Sequence, residues 1–326
     1  MTLRLEAIAV RFVAILLACA IVGSTGANAC AQFGQSDQKG AELGQTRIQR
    51  WKGGVTVEAV GGPCQGIVAT IPVPVDWPEQ TVVISEEDVT SQARVNQRLQ
   101  QKAVPQLVVN IRSLPTGQEA RAVLTYEVTR RIQSPPANPE IYKIAEEREI
   151  PRDVKIYLAW SPPHIDSRDR RIRQLGGMLG ADADTAWKRV EAIFDYVRGK
   201  IQFAKGKTKG AIKALEDGSG NHEDLCFAFI AICRAAGIPA RTVWVPNHCY
   251  PEFYLVDDEG NGHWFPCQVA GPREFGGISE HRPIFQKGDL FRDPRDRNKT
   301  YPLLPETLEG AGGRPKVKFI REMLPN

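Results

Sequence analysis

The sequence predicts an α+β protein in which a small all-β, sandwich-like domain precedes a core made of one buried helix packed on an antiparallel sheet. Two observations predict this class. Short β-branched runs separated by turn residues occupy the first half of the chain. In the second half, a helix that is apolar on nearly every face is followed by three strand-like runs. Strands followed by a helix and further strands are typical of segregated α+β architecture.

The N-terminus has the pattern of an export signal. Arg11 precedes an apolar run over residues 12–23, which is shorter than the roughly 20 residues that span a bilayer. Small residues and A-x-A sites follow, so residues 1–31 are predicted to be a cleaved signal peptide. Cys30 leaves a lipid anchor as the less favoured alternative. The polar, glycine-rich residues 32–46 are interpreted as a flexible lead-in.

Residues 47–134 are interpreted as the all-β, sandwich-like domain. The strand-like runs are Val55–Val60, Thr81–Ile84, Gln106–Ile111 and Ala122–Thr129. A proline-rich break at Ser134–Pro139 ends this domain. The next segment, residues 135–165, is interpreted as a linker.

Residues 166–271 carry the predicted α+β core. A helix near Trp187–Ile201 follows Asp184 or Thr185 as its cap. A second helix runs from His222 to Ala236, capped by Asn221 and ended by Gly237 and Pro239. Antiparallel strands are predicted at Arg241–Val245, Glu252–Val256 and His263–Gln268. Residues 272–326 are predicted to be a proline-rich extension with one late strand, Lys316–Ile320.

Composition narrows the functional classes. With 42% hydrophobic and 25% charged residues the chain is typical of globular proteins. The net charge is +4, and the basic residues are scattered, which does not indicate a nucleic-acid-binding stripe. No second hydrophobic span follows the signal, and no C-x-x-C pair indicates a zinc knuckle. We therefore expect an exported protein without a nucleic-acid partner or a membrane span.

Four ordered motifs lie between residues 220 and 268. They are Gly220-x-His222-x-Asp224, Arg234–Arg241 (RAAGIPAR), His248-x-Tyr250-x-Glu252-x-Tyr254-Leu255 and Trp264-x-Pro266-x-Gln268. Their order and spacing resemble the transglutaminase-like superfamily, whose members have a papain-like fold and belong to the broader group of cysteine hydrolases. The resemblance covers about residues 185–271. It implies a peptide or protein ligand and a catalytic triad built from a cysteine, a histidine and an aspartate.

Two positions depart from that triad. His248 matches the catalytic histidine of the family, but the nucleophile position falls on His222 and the aspartate position on Gln268. A glutamine oxygen can still accept the imidazole N–H, although it brings no charge to stabilise an imidazolium. An imidazole does not replace a thiolate in forming a durable acyl-enzyme. We therefore predict a non-classical or catalytically impaired member, a pseudoenzyme candidate, that binds peptide or amide ligands in its cleft.

An active enzyme is the alternative. Cys226 lies one helical turn after His222 and could act as nucleophile with His248 as base. Burial would raise the pKa of that thiol, which favours a packing role instead. A metal-assisted amide hydrolase or acyl transferase is the other form of this alternative, with His222, Cys226 and His248 as weak candidate ligands.

Overall fold

The computed structural model describes residues 39–100, 104–292 and 300–325. The predicted signal peptide and residues 32–38 of the predicted lead-in lie outside these residues. The described residues belong to one compact unit. Across the residues that the structure describes, each helix is too short or too polar to cross a lipid bilayer.

The strands and helices are bounded as follows. The strands are β1 (Glu42–Ala59), β2 (Cys64–Pro72), β3 (Gln80–Val89), β4 (Ala93–Gln100), β5 (Val104–Leu114), β6 (Glu119–Ser134), β7 (Gln202–Phe203), β8 (Ser219–Gly220), β9 (Ala240–Val245), β10 (His248–Val256), β11 (Gly262–Gln268), β12 (Glu274–Phe275), β13 (Gln286–Lys287), β14 (Phe291–Arg292), β15 (Thr300–Tyr301), β16 (Thr307–Gly312) and β17 (Pro315–Leu324). The helices are α1 (Arg152–Lys155), α2 (Arg170–Met178), α3 (Ala186–Lys200), α4 (Ala211–Asp217) and α5 (His222–Ala235), with short 3-10 turns at Pro139–Ile141 and Ile156–Leu158.

The N-terminal β-region consists of two antiparallel four-stranded sheets. Their strand orders are β17-β1-β6-β3 and β16-β2-β5-β4. Alternate residues of β1 from Val55 to Ala59 are completely buried, as the two-residue side-chain period of a strand requires. They contribute to a hydrophobic core that also contains Ile71 and Leu107.

Both ends of the described chain take part in these sheets. Strand β1 begins at Glu42, so residues 42–46 are extended strand and not part of a flexible lead-in. Strand β17 pairs with β1 and β16 pairs with β2. The sequence predicted one late strand, whereas β12 to β17 all follow residue 271. Most of the additional strands have two residues, and β16 is glycine-rich, so neither gives a periodic pattern in the sequence.

A five-stranded sheet packs against the helices. Its five strands have the order β12-β11-β10-β9-β13, and β9, β10 and β11 are antiparallel neighbours, as predicted. Helix α5 packs against β9 and β10, and every residue from Asp224 to Arg234 is buried. The α+β architecture, with a sheet region before a core of one buried helix on an antiparallel sheet, is therefore confirmed.

Buried ionic contacts join the two regions. Lys287 Nζ lies 2.6 Å from a carboxylate oxygen of Glu79 and 2.7 Å from one of Glu252. Nearby, Arg130 donates to the hydroxyl of Tyr250 at 2.8 Å. Arg130 and Glu79 belong to the N-terminal region, whereas Tyr250 and Glu252 belong to β10. The face of β10 that begins with His248 is thus anchored against the N-terminal region.

Candidate functional site

The site is built on the first turn of α5. Asn221 caps the helix by accepting the backbone N–H of Asp224, and Asp224 in turn accepts the backbone N–H of Asn221. The other carboxylate oxygen of Asp224 accepts the backbone N–H groups of Lys209 and Gly210. At Gly220 a Cβ atom would lie 2.7 Å from the Cβ of Asp224, so only glycine fits. These contacts fix the direction in which the helix begins, and His222 is its first residue.

The structure brings His222, His248 and Gln268 together. The centroids of the two imidazole rings are 5.1 Å apart, with 56° between the ring planes. The amide of Gln268 approaches Nε2 of His248 with its oxygen at 3.2 Å and its nitrogen at 3.1 Å. These three residues come from the start of α5, the start of β10 and the end of β11. They were predicted from the motifs, and the fold places them at one point.

Gln268 acts differently from a carboxylate in this position. A carboxylate accepts only, so it holds a proton on the facing nitrogen of the ring. An amide can accept from a protonated Nε2 or donate to a bare one. It therefore suits either neutral tautomer of His248, and its hydrogen bond raises the pKa of the ring too little to offset burial.

Both histidines are held in the neutral form. Burial lowers the pKa of His248 to about 4, and the nearby Arg282 and His222 act in the same direction. Burial also lowers the pKa of His222, and the charge of Arg282 adds to this effect. At neutral pH the site therefore presents two uncharged imidazoles.

Arg282 and Glu280 were missed by the sequence interpretation. Arg282 donates to both carboxylate oxygens of Glu280 and to the backbone oxygen of Pro246, which lies two residues before His248. Although burial opposes it, this guanidinium lowers the pKa of Glu280 to about 2. Both residues lie in the proline-rich segment after residue 271, and no motif or periodicity links them to the histidines.

Hydrogen bonds to neighbouring segments fix the residues around the site. Asn221 donates its side-chain N–H to the backbone oxygen of Gly206 at 3.2 Å and to the hydroxyl of Thr208 at 3.1 Å. On the opposite side, Arg198 donates to the backbone oxygens of Gln268 at 2.9 Å and Gly271 at 3.0 Å. The loop before α4 and the end of β11 are thereby tied to the helices beside them.

Cys226 is placed behind the site. It is completely buried, and burial raises the pKa of its thiol. Its thiol donates to the backbone oxygen of Cys249 at 3.3 Å, and the two sulfur atoms are 3.5 Å apart. Because the hydrogen bonds that it makes within the described residues go to Cys249, Cys226 has the environment of a core residue and not that of an activated nucleophile.

The candidate metal ligands do not lie together. Among residues 39–100, 104–292 and 300–325, no three histidine, cysteine, aspartate or glutamate side chains are grouped so as to hold a metal ion. His222 and His248 do face each other, but the sulfur of Cys226 is directed to Cys249. The three candidates therefore do not form one ligand set.

The three side chains that meet at the site offer both donors and acceptors of hydrogen bonds. Two neutral imidazoles and one amide can donate to and accept from an uncharged polar group such as a peptide amide. Glu223 and Asp224 favour the charged form of His222, and Glu280 favours that of His248, but burial outweighs them and lowers the pKa of both rings.

Comparisons with known proteins agree with the motifs. Residues 173–269 match the family model described as "Transglutaminase-like superfamily", a span that includes His222, His248 and Gln268. The resemblance read from the sequence is therefore confirmed for this part of the chain. No curated protein matches the sequence.

Two solved structures are similar. One is a "putative cysteine protease" from Cytophaga hutchinsonii, with a TM-score of 0.56 and 15% sequence identity, covering 86% of this chain and 92% of that chain. The other is a "putative protease" from Parabacteroides distasonis, with a TM-score of 0.29 and 12% identity, covering 71% of this chain and 48% of that one. The first similarity extends beyond residues 173–269. The fold of the N-terminal region together with the papain-like core therefore resembles that of a solved structure.

Proposed function

We propose that this protein is an exported, non-classical member of the transglutaminase-like group that binds a peptide or amide ligand in its cleft without efficient thiol catalysis. The observation that carries this proposal is the imidazole of His222 on the first turn of α5, facing His248. A helix N-terminus lowers the pKa of a cysteine placed there, and that thiolate is what the usual mechanism requires. An imidazole in the same place offers no thiolate.

A peptide ligand is supported by the chemistry of the cleft and by one similar structure. His222 and His248 are only partly buried, so part of each residue is accessible to a ligand. The structure from Cytophaga hutchinsonii is named as a "putative cysteine protease", a class that acts on peptide bonds. We infer that this chain keeps peptide recognition and loses the covalent step.

Activity assays test the catalytic half of the proposal. The purified protein is incubated with a glutamine-containing peptide as acyl donor and a fluorescent primary amine as acceptor. We expect no amine incorporation or peptide hydrolysis above a heat-treated control. Turnover by the wild-type protein that disappears in His248→Ala would contradict the proposal and favour an active enzyme.

Restoring the cysteine and the aspartate of the usual triad tests the same proposal by a gain of activity. His222→Cys places a thiol at the helix N-terminus, and His222→Cys combined with Gln268→Asp also restores the carboxylate. We expect iodoacetamide at pH 7 to alkylate the introduced thiol at least about tenfold faster than an ordinary exposed cysteine, because the helix N-terminus favours the thiolate. The double variant is expected to show amine incorporation, with His222→Ala as the matched control.

Ligand binding is tested separately. The same glutamine peptide, labelled with a fluorophore, is titrated with wild-type protein and with His222→Trp, whose indole fills the cleft. Saturable binding to the wild type that His222→Trp weakens at least about tenfold supports the cleft as the binding site. Equal binding by the two proteins would refute it.

Export is proposed from the N-terminal pattern alone. Arg11, the apolar run at residues 12–23 and the small residues after it support a cleaved signal. Expression of the full chain, cell fractionation and N-terminal sequencing of the mature product test this. A product in the cytoplasm that retains residues 1–31 would contradict it.

A further inference from the structure

Two buried cysteines lie in contact directly behind the candidate site. Cys226 is on α5, one turn after His222, and Cys249 follows His248 on β10. Their sulfur atoms are 3.5 Å apart, and both side chains are completely buried. The thiol of Cys226 also donates to the backbone oxygen of Cys249 at 3.3 Å, so the helix and the strand are close together at this point.

We propose that Cys226 and Cys249 are a cross-linking site that an external disulfide oxidises to an intramolecular disulfide. A disulfide needs a sulfur separation of about 2.05 Å, so the sulfurs must approach by about 1.5 Å through small side-chain rotations. This inference goes beyond the proposed function and does not depend on the ligand. Export would bring the chain into an oxidising compartment where disulfides persist.

The reaction consumes one small-molecule disulfide, for which oxidised glutathione serves as the example. The thiolate of one cysteine attacks a glutathione sulfur, the glutathione disulfide bond breaks, and the first glutathione thiol leaves as a mixed disulfide forms. The second cysteine then loses its proton and attacks the protein sulfur of that mixed disulfide. The second glutathione thiol leaves, and both protons end on the two reduced glutathione molecules.

Burial sets the conditions under which this reaction takes place. It raises the pKa of both thiols, which disfavours the attacking thiolate in the folded protein. The cross-link therefore forms during folding or when the first turns of α5 open locally. Once formed, the same burial protects it from reductants.

The cross-link would act on the geometry of the site. Cys226 is fixed to the helix that begins with His222, and Cys249 is the neighbour of His248. A bond between them holds the start of α5 to the start of β10 and keeps the two imidazoles at a constant separation. It also removes the thiol of Cys226 from any catalytic role.

Peptide mapping of the full-length wild-type protein tests the inference. The reduced protein is unfolded and refolded with a mixture of reduced and oxidised glutathione, its remaining thiols are alkylated in denaturant, and it is digested with chymotrypsin, which separates Cys226 from Cys233. We expect a peptide pair joined through Cys226 and Cys249, with Cys233 and Cys267 alkylated. Alkylation of both Cys226 and Cys249 after refolding, a glutathione adduct that persists on either, or pairing of either with Cys267 would overturn the inference.

Variants supply the controls. Cys226→Ala and Cys249→Ala should each abolish the linked peptide, whereas Cys233→Ala, on the same helix, should retain it. The oxidised wild type should have a Tm several degrees above that of the reduced protein, because the cross-link restricts the unfolded chain. In Cys249→Ala the oxidised and reduced proteins should have the same Tm. An equal increase in Tm in this variant would mean that another cysteine causes the change.

Discussion

At the scale of single residues, the site is governed by the burial of two imidazoles beside an arginine. His248 and His222 both have lowered pKa values, and Arg282 contributes to each after burial. Glu280 is close enough to oppose this, yet its charge is already engaged by Arg282. The neutral state of the histidines is thus a property of their surroundings and not only of the missing aspartate.

The lowered pKa of His248 predicts a pH dependence of stability. Its pKa falls from 6.5 to about 4 on folding, so between these values the unfolded chain binds a proton that the folded protein does not. Stability due to this residue is therefore present above pH 6.5 and is lost as the pH falls toward 4. At 1.36 kcal/mol per pH unit, the free energy of unfolding should decrease by about 2 kcal/mol between pH 6.5 and pH 5.

Urea unfolding of the wild type and of His248→Gln at pH 7 and pH 5 measures this effect. Glutamine does not titrate, so the variant should lose less stability than the wild type over this interval. This pH interval lies above the range in which glutamate residues titrate, so they do not obscure the effect of His248. Identical losses in the two proteins would show that His248 is not responsible.

Gln268 gives a second prediction at the residue scale. Replacing it with aspartate puts a negative charge within hydrogen-bond distance of Nε2 of His248, which stabilises the charged ring. The pKa of His248, measured by NMR titration, should rise by at least about 1 unit. Gln268→Asn is the neutral control and should leave the pKa near its wild-type value. A pKa that stays the same in Gln268→Asp would mean that the residue does not contact the ring.

At the scale of elements, α5 depends on one buried carboxylate. Asp224 is completely buried and accepts the backbone N–H groups of Lys209, Gly210 and Asn221. It therefore fixes both the helix start and the loop before α4. The buried aspartate serves a local structural purpose, since its hydrogen bonds satisfy three backbone donors, of which those of Gly210 and Asn221 are buried.

Removal of the Asp224 carboxylate should lower the free energy of unfolding. Asp224→Ala leaves those three backbone donors without their acceptor, and the free energy of unfolding should fall by roughly 3–5 kcal/mol. Asp169 is the matched control, because its side chain caps α2 by accepting the backbone N–H of Arg171 near the surface. Asp169→Ala should cost about 1 kcal/mol. Equal losses in the two variants, measured by urea unfolding, would contradict this ranking.

The elements also show the limits of sequence periodicity. Helix α5, capped by Asn221, was predicted within a residue, because the cap, the apolar run and Gly237 all agree. The short strands β12 to β15 were missed, because two residues carry no period. Strand β1 was predicted only in part, since its first half has exposed polar residues and is extended by pairing with β6.

At the scale of the whole molecule, buried charges join the N-terminal sheets to the papain-like core. Lys287 contacts both Glu79 and Glu252, and all three side chains are at least 96% buried. Arg241 also contacts Glu252, and Lys287 and Arg241 together hold the pKa of Glu252 at about 2 even though burial opposes them. Because partners from both regions meet in this network, we expect the regions to unfold together.

Lys287→Met tests this coupling. The change leaves Glu79 and Glu252 buried without the cation that they share, so the free energy of unfolding should fall by roughly 3–5 kcal/mol. Lys316, an exposed residue paired with Glu58, is the matched control, and Lys316→Met should change stability by less than about 1 kcal/mol. Fluorescence and circular dichroism should report one transition in both variants. Two separated transitions in the wild type would show that the regions fold independently.

The sequence by itself determined the α+β class, the helix that carries His222 and the three antiparallel strands in whose stretch of the chain His248 and Gln268 lie. Local signals sufficed for these features, because caps, apolar periodicity and the ordered motifs each depend on neighbours a few residues away. The tertiary structure alone decided that the charge of Arg282 acts on both histidines, that Cys226 is directed to Cys249, and that β16 and β17 complete the N-terminal sheets. These contacts join segments far apart in the chain, and their formation depends on how the sheets and helices pack, which no local pattern records.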